Sequence, residues 1–353
     1  MSATTGSHAG ELSSGALSPF AGAPDRPVFV GGCPRSGTTL LRTMLNSHPE
    51  LAMPRESRFL LETWRRRERF GDLGVERNRE KLARWIFTRK AARPGRVGVE
   101  SQRAIERLVA APPTVGSLLG TCFLMYAEQQ GKERWGDKRP MYVQYLDAIF
   151  AMFPDAQFVN VVRDPRAAVA SMRRLDWYGG DVVPVAELWE RSQRAADAWR
   201  RRLAPDQLLE IRYEDLVARP EETLTDVCSF LRLSGDGIAD ALSYHEHNDI
   251  PETSTYHWKV HQPVSADSSR RWEHELSGEE IALIEYAAGK RLRRYGYEPA
   301  AGSSRPTAEM YRALRRRRLE RAKLAGRRQM KELKLRLTHR QPVVARLTSG
   351  QRR

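Results

Sequence analysis

Residues 29–45 read "FVGGCPRSGTTLLRTML", an apolar run that ends in paired glycines and leads into a segment with helical spacing. With Pro27 before it and "NSHP" after it, the stretch predicts a strand, a tight turn and a helix that stops near Pro49. Such a turn aims several backbone N–H groups at one point, with the positive end of the helix dipole behind them, so its natural occupant is an anion. Gly32 and Gly37, with four residues between them, have the spacing of a phosphate cradle, although that spacing alone also suits an ordinary turn. Nucleoside triphosphatases place a lysine directly after the second glycine to reach the β and γ phosphates; here Thr38 stands there. Arg35, inside the turn, is the cation available in its place.

The same unit recurs downstream. "QFVNVVR" (157–163) precedes "DPRAAVASMRR", in which Asp164 can cap a helix that begins at Pro165. "LLEIRYEDL" (208–216) predicts a third strand, and "RPEETLTDVCSFLRL" the helix after it. Strands alternating with helices predict the α/β class, here a P-loop-containing three-layer fold with a central parallel sheet flanked by helices. Residues 57–94, 112–130 and 184–203 carry helical patterns rich in Arg, Trp and Leu, and are expected to cover the sheet and wall a cleft. Ser277 and Glu280 form a capping-box pattern at the head of a late helix, and the compact domain is expected to close near Pro299.

At 353 residues and 41% hydrophobic, the chain can bury one large core or two small ones. Its net charge of +15 is concentrated: residues 301–353 hold 17 Lys or Arg against 3 Asp or Glu, which leaves residues 1–300 near neutral. The basic character therefore belongs to a tail, and no specific nucleic acid partner is expected for the main domain. Cys33, Cys122 and Cys228 lie far apart without the spacing of a zinc site or a disulfide framework, which fits a reducing compartment. Residues 1–26 are rich in Ser, Gly, Ala and Thr and are expected to form a disordered leader; with no apolar stretch of the roughly 18 residues a membrane span needs, a cytoplasmic location is expected.

"PRSGTTLLRTML" resembles the 5′-phosphosulfate loop of sulfotransferases, most closely that of the tyrosylprotein sulfotransferases and their bacterial relatives. The resemblance spans about residues 27–298 and implies 3′-phosphoadenosine 5′-phosphosulfate as sulfuryl donor, held at this loop by Arg35, Ser36, Gly37, Thr38 and Thr39. "VVRDPRAAVASM" resembles the second motif of the family, which implies that Arg163 and Ser171 hold the 3′-phosphate. A cation at a strand end and a hydroxyl two helical turns later can both face a phosphate lying across the start of that helix.

Sulfuryl transfer to a hydroxyl needs a base, cations for the charge that grows on the departing phosphate, and in-line positioning; no metal is required. In "SHPELAMPRESRF" the resemblance implies Glu56 as the general base. The family commonly carries another acid just before it, whereas here Arg55 stands there; lying between Arg55 and Arg58, the carboxylate is expected to be biased toward ionisation. In "RWGDKRP" the resemblance implies that Lys138 stabilises the transition state, a role shared with Arg35. Tyr213 in "IRYEDL" and Arg271 before Trp272 are implied to contact the nucleotide, while the late serine of the tyrosylprotein enzymes has no assignable counterpart near Ser254, Thr255 and Tyr256. His48, at a helix end before proline, is expected to contact the last helix carbonyls rather than act as a base.

Arg58 and the cluster Arg65, Arg66 and Arg67 suit an anionic acceptor such as an acidic peptide; a small molecule, lipid or saccharide hydroxyl fits the fold equally, because the cap and not the fold sets the acceptor. Residues 307–340 place Leu319, Ala322, Met330, Leu333 and Leu337 at three- and four-residue steps amid Arg and Lys. That pattern predicts a basic amphipathic helix for an anionic membrane surface, an acidic partner or a second copy, against a plain solvated extension. Two other functions fit parts of the pattern. An ATP-using kinase-like enzyme is opposed by Thr38 and by the lack of a convincing magnesium-binding aspartate at a strand end. A non-catalytic protein with a decayed nucleotide site, acting through its tail, is opposed by the joint presence of Arg35, Glu56, Lys138, Arg163 and Ser171.

Overall fold

A computed structural model of the chain describes residues 26–88, 102–246, 249–251, 258–265, 270–300 and 305–338. Apart from Arg26, the expected leader lies outside these residues, as do Ser254, Thr255 and Tyr256.

Five strands, β1 (Val28–Gly32), β2 (Leu51–Ala52), β3 (Arg134–Lys138), β4 (Gln157–Val162) and β5 (Leu208–Arg212), form one sheet in the order β2-β3-β1-β4-β5, with every pair parallel. Successive side chains of a strand point to opposite faces. Accordingly Phe29 and Phe158 enter an aromatic core with Phe123, Trp135 and Phe153 on one face, while Val28, Val30, Val159 and Val161 meet Leu41, Met44, Leu45 and Leu224 on the other. Trp135 stacks on Phe123 at 4.8 Å and meets Phe29 edge-on at 5.9 Å. Helices Phe59–Arg66, Val115–Gln129 and Leu146–Met152 cover the first face; helices Thr38–Ser47, Tyr213–Ala218 and Pro220–Leu231 cover the second. This is the three-layer arrangement that the alternating pattern predicts.

Local signals place several elements where expected. Asp164 accepts from the Arg166 N–H at 2.8 Å with Pro165 at the first helical position, and Ser277 and Glu280 close a reciprocal capping box. Two strands were not expected. β2 is only two residues long, and β3 lies within "RWGDKRP", whose charged residues have low strand preference. Its third expected strand is also shorter than 208–216: it ends at Arg212, and Tyr213 opens a helix with Glu214 and Asp215 in its first turn, where acids favour a helix start.

The tail forms a helix over Ala308–Thr338 that returns across the body. Leu314 is buried in the cluster of Ala167, Leu283 and Ile284, Arg328 meets Asp147 at 2.7 Å, and Lys331 meets Glu68 at 2.9 Å. The inward face is thus not the apolar stripe singled out in the sequence, since Leu319, Met330 and Leu333 point to solvent. Exposed ion pairs contribute roughly 0–1 kcal/mol each, so the anchor is the buried leucine. Replacing Leu314 by alanine is expected to cost about 2–5 kcal/mol in urea unfolding, whereas Arg328→Ala should cost under about 1 kcal/mol. No described helix is long and apolar enough to cross a membrane.

Candidate active site

β1 ends in a turn whose backbone is forced. Arg35 has a φ of 70° and Gly37 of 91°, both left-handed, and non-glycine residues in that region concentrate at functional sites. A β-carbon on Gly37 would come within 2.4 Å of the Tyr213 ring, and one on Gly32 within 2.4 Å of the Val161 carbonyl oxygen. The turn can therefore be this tight only with glycine at both places. Behind it, no side chain caps helix Thr38–Ser47, and its first turn carries no acid, so the positive helix end faces the turn. Ser36 is fully buried there, and its Oγ has no hydrogen-bond partner among the described residues. A buried hydroxyl without a partner and an uncapped helix start at one place make an anion cradle.

The second turn lies beside the first because β1 and β4 are neighbours. Arg163, at the end of β4, donates to the Arg35 carbonyl at 2.9 Å and lies 4.2 Å from the centre of the Tyr213 ring. Its own carbonyl is fixed by the Trp189 indole N–H at 2.8 Å. The Arg35 Nε donates to Ser171 Oγ at 3.2 Å. Burial, then the nearby charges of Arg163 and Arg174, push the Arg35 guanidinium below its ordinary pKa, although it stays charged. A bound anion would relieve this crowding of cations.

On the other side of the cradle, Lys138 at the end of β3 reaches Thr39 Oγ1 at 3.2 Å and Glu56 Oε2 at 3.4 Å. Arg139 approaches Glu56 Oε1 at 3.6 Å. The cations that contact Glu56 are thus Lys138 and Arg139, reached through the fold, and not its sequence neighbours Arg55 and Arg58. Burial lowers the Lys138 pKa, with Glu56 opposing the shift. The loop that carries Glu56 is tied to helix Thr38–Ser47 by Arg42, which is buried and bonds the carbonyls of Met53 and Pro54 and, at 2.7 Å, Asp249.

The fold therefore brings Arg35, Ser36, Gly37, Thr38, Thr39, Arg163, Ser171 and Tyr213 to one turn pair, with Lys138 and Glu56 adjoining. Arg58 and Arg271 are not bonded to this group: both are exposed, each at the N-cap of a helix, and neither side chain makes a hydrogen bond or ion pair among the described residues. His48 is buried, but its ring meets the Ser234 carbonyl at 2.9 Å and the Glu50 N–H at 3.2 Å instead of its own helix's last carbonyls. Sequence reading missed Arg42, whose signal was a charge on the apolar face of its helix. It also missed Asp137, Ser57 and Tyr142, whose link has no sequence signature.

A parallel sheet with an anion cradle at the end of its central strand is the P-loop-containing fold. The profile of the sulfotransferase family matches residues 27–236. A protein-tyrosine sulfotransferase of Drosophila melanogaster is 25% identical over 287 residues, which are 78% of this chain and 52% of that protein, so the chain spans about half of this relative. Protein-tyrosine sulfotransferase 1 of Danio rerio is 26% identical over 300 residues, 80% of this chain and 76% of that one. The solved sulfotransferase domain of the olefin synthase of Synechococcus PCC 7002 matches with a TM-score of 0.57 at 23% identity, covering 78% of this chain and 96% of that domain, a likeness of fold. The chain belongs to the sulfotransferase family and is an enzyme of that family.

Proposed function

We propose that the protein transfers a sulfuryl group from 3′-phosphoadenosine 5′-phosphosulfate to an acceptor hydroxyl, with Glu56 as general base. The observation that carries this reading is the placement of Lys138, whose ammonium lies 3.2 Å from Thr39 in the cradle helix and 3.4 Å from Glu56. One cation thereby adjoins both the phosphate cradle and a carboxylate, which is what in-line transfer between them requires.

The residues fit such a donor. Ser36 Oγ, the uncapped start of helix Thr38–Ser47 and Arg35 suit its 5′ end; Arg163 and Ser171, with Tyr213 beneath the guanidinium, suit its 3′-phosphate. The donor supplies the sulfuryl group and a phosphate leaving group. Glu56 takes the acceptor proton, Lys138 and Arg35 offset the negative charge that grows on the leaving oxygen, and the cradle N–H groups hold the phosphate in line. Arg271 is assigned to the nucleotide and Arg58 to the acceptor with no contact of their own in support. The acceptor is a hydroxyl; the named relatives favour a peptide tyrosine, and the exposed Arg58, two residues after Glu56, favours an anionic one.

Adenosine 3′,5′-bisphosphate is expected to raise the melting temperature of the full chain, by an amount corresponding to about 2.7 kcal/mol at 100 times its Kd. ATP with magnesium should raise it far less. Stabilisation by ATP with magnesium alone would overturn the reading. If the bisphosphate binds, transfer of labelled sulfate to tyrosine peptides, phenols, saccharides and lipids identifies the acceptor.

A further inference from the structure

Asp137 is wholly buried between two residues proposed to react, and no role yet described uses it. Its Oδ2 accepts from the Ser57 hydroxyl at 2.5 Å and from the Tyr142 hydroxyl, and its Oδ1 accepts from the Lys138 N–H at 2.9 Å. Ser57 directly follows Glu56, and Lys138 directly follows Asp137. One carboxyl therefore ties together the backbone segments that carry the base and the cation. We propose that Asp137 is a positioning residue that sets Glu56 and Lys138 against each other, an inference that rests on the reading of Glu56 as base.

The surroundings make this tie sensitive to protonation. Around Asp137 stand Glu56 and Ser57 from the loop, Lys138 and Arg139 from the end of β3, and Tyr142 from the helical turn Pro140–Gln144, while its neighbour on β1 is Phe29. Burial pushes its pKa up from 3.8 to about 7; the Ser57 and Tyr142 hydroxyls hold it down, and the Glu56 charge raises it. Ionised, the carboxylate accepts from all three donors at once. Protonated, it donates its own O–H, so one hydroxyl must turn from donor to acceptor, and the bonds to the loop weaken from charge-assisted to neutral.

Stability and positioning then respond to pH in opposite senses. Because the folded pKa lies above the unfolded one, Asp137 contributes stability that is complete below about pH 4 and is lost as pH rises through about 7. Positioning improves over the same upper range, as the carboxylate forms.

The test uses the full chain with Asp137→Asn, Ser57→Ala, Ser57→Thr, Tyr142→Phe and Glu56→Gln. Carbon-13 carboxyl NMR, assigned through Asp137→Asn, should show Asp137 titrating near 7. The midpoint should move up in Ser57→Ala and Tyr142→Phe, and down in Glu56→Gln. Sulfuryl transfer by Asp137→Asn should lose its dependence on a group near pH 7, with kcat lowered about 10–100-fold by misplaced reacting groups. Adenosine 3′,5′-bisphosphate should bind this variant within about twofold of the parent, since Asp137 does not line the cradle. Ser57→Thr should restore much of what Ser57→Ala loses. The proposal is overturned if the Asp137 titration ignores both Ser57→Ala and Glu56→Gln, or if Asp137→Asn keeps the parent's kcat and pH profile. A parent that transfers no sulfuryl group to any acceptor would overturn the proposed function; the titration would still decide whether Asp137 joins the two segments.

Discussion

Glutamine in place of Glu56 is expected to lower sulfuryl transfer by about 10²–10⁴-fold, the usual contribution of a positioned general base. The side chain is 36% exposed, but it is the counter-charge of the buried Lys138, so removing its charge should lower the melting temperature without unfolding the chain. Bisphosphate affinity should change little, because the cradle is built from residues 32–39 and from the turn at Arg163. Losing this carboxylate should let burial press the Lys138 pKa lower still, since Glu56 is the first of the charges that hold it up. Steady-state transfer and calorimetric titration with the bisphosphate separate the two effects. Loss of binding along with turnover would mean that Glu56 serves to hold Lys138 in place and is not the base.

Alanine at Arg163 should act on the opposite side of the site, weakening bisphosphate binding by about 10–150-fold, as expected for a lost charge-assisted contact of about 1.5–3 kcal/mol. Two internal ties disappear with it: the bond to the Arg35 carbonyl and the contact over the Tyr213 ring. The first matters because Arg35 is held in a left-handed conformation that costs about 1–3 kcal/mol and persists only while its surroundings enforce it. Lysine at 163 should recover part of the affinity through its charge while lacking the planar fork. Unchanged affinity in Arg163→Ala, measured by calorimetry at fixed salt, would remove Arg163 from the nucleotide site.

Elements with local signals were legible in the sequence. The paired glycines after an apolar run, the Asp164–Pro165 start and the Ser277–Glu280 box each concern residues a few positions apart, and each appears in the fold as expected. β3 was not legible, because what makes "RWGDK" a buried strand lies far away in the chain. Arg134 bonds Gln157 and the Leu231 carbonyl, and Asp137 accepts from Ser57. The same holds at Glu56: its arginine neighbours were visible, while the partners it meets are supplied by the end of β3, 82 residues on for Lys138. The tail's helix was readable from its spacing, but the face it turns inward depends on where Glu68, Asp147 and the Leu314 pocket happen to stand.

The strand order has a consequence for the chain while it is still being made. β1 leaves the ribosome before both of its neighbours, β3 and β4, so neither can pair with it until residue 134 has emerged, and its other edge stays open until residue 157. At about 5–20 residues per second the roughly 100 residues between β1 and β3 take ~5–20 s, during which an apolar strand with two open edges is in solution. Parallel pairing across such separations is slow to form and exposed to aggregation. Rare codons or pauses between residues 33 and 133 should therefore lower the soluble yield more than the same pauses placed after residue 212, when all five strands have emerged.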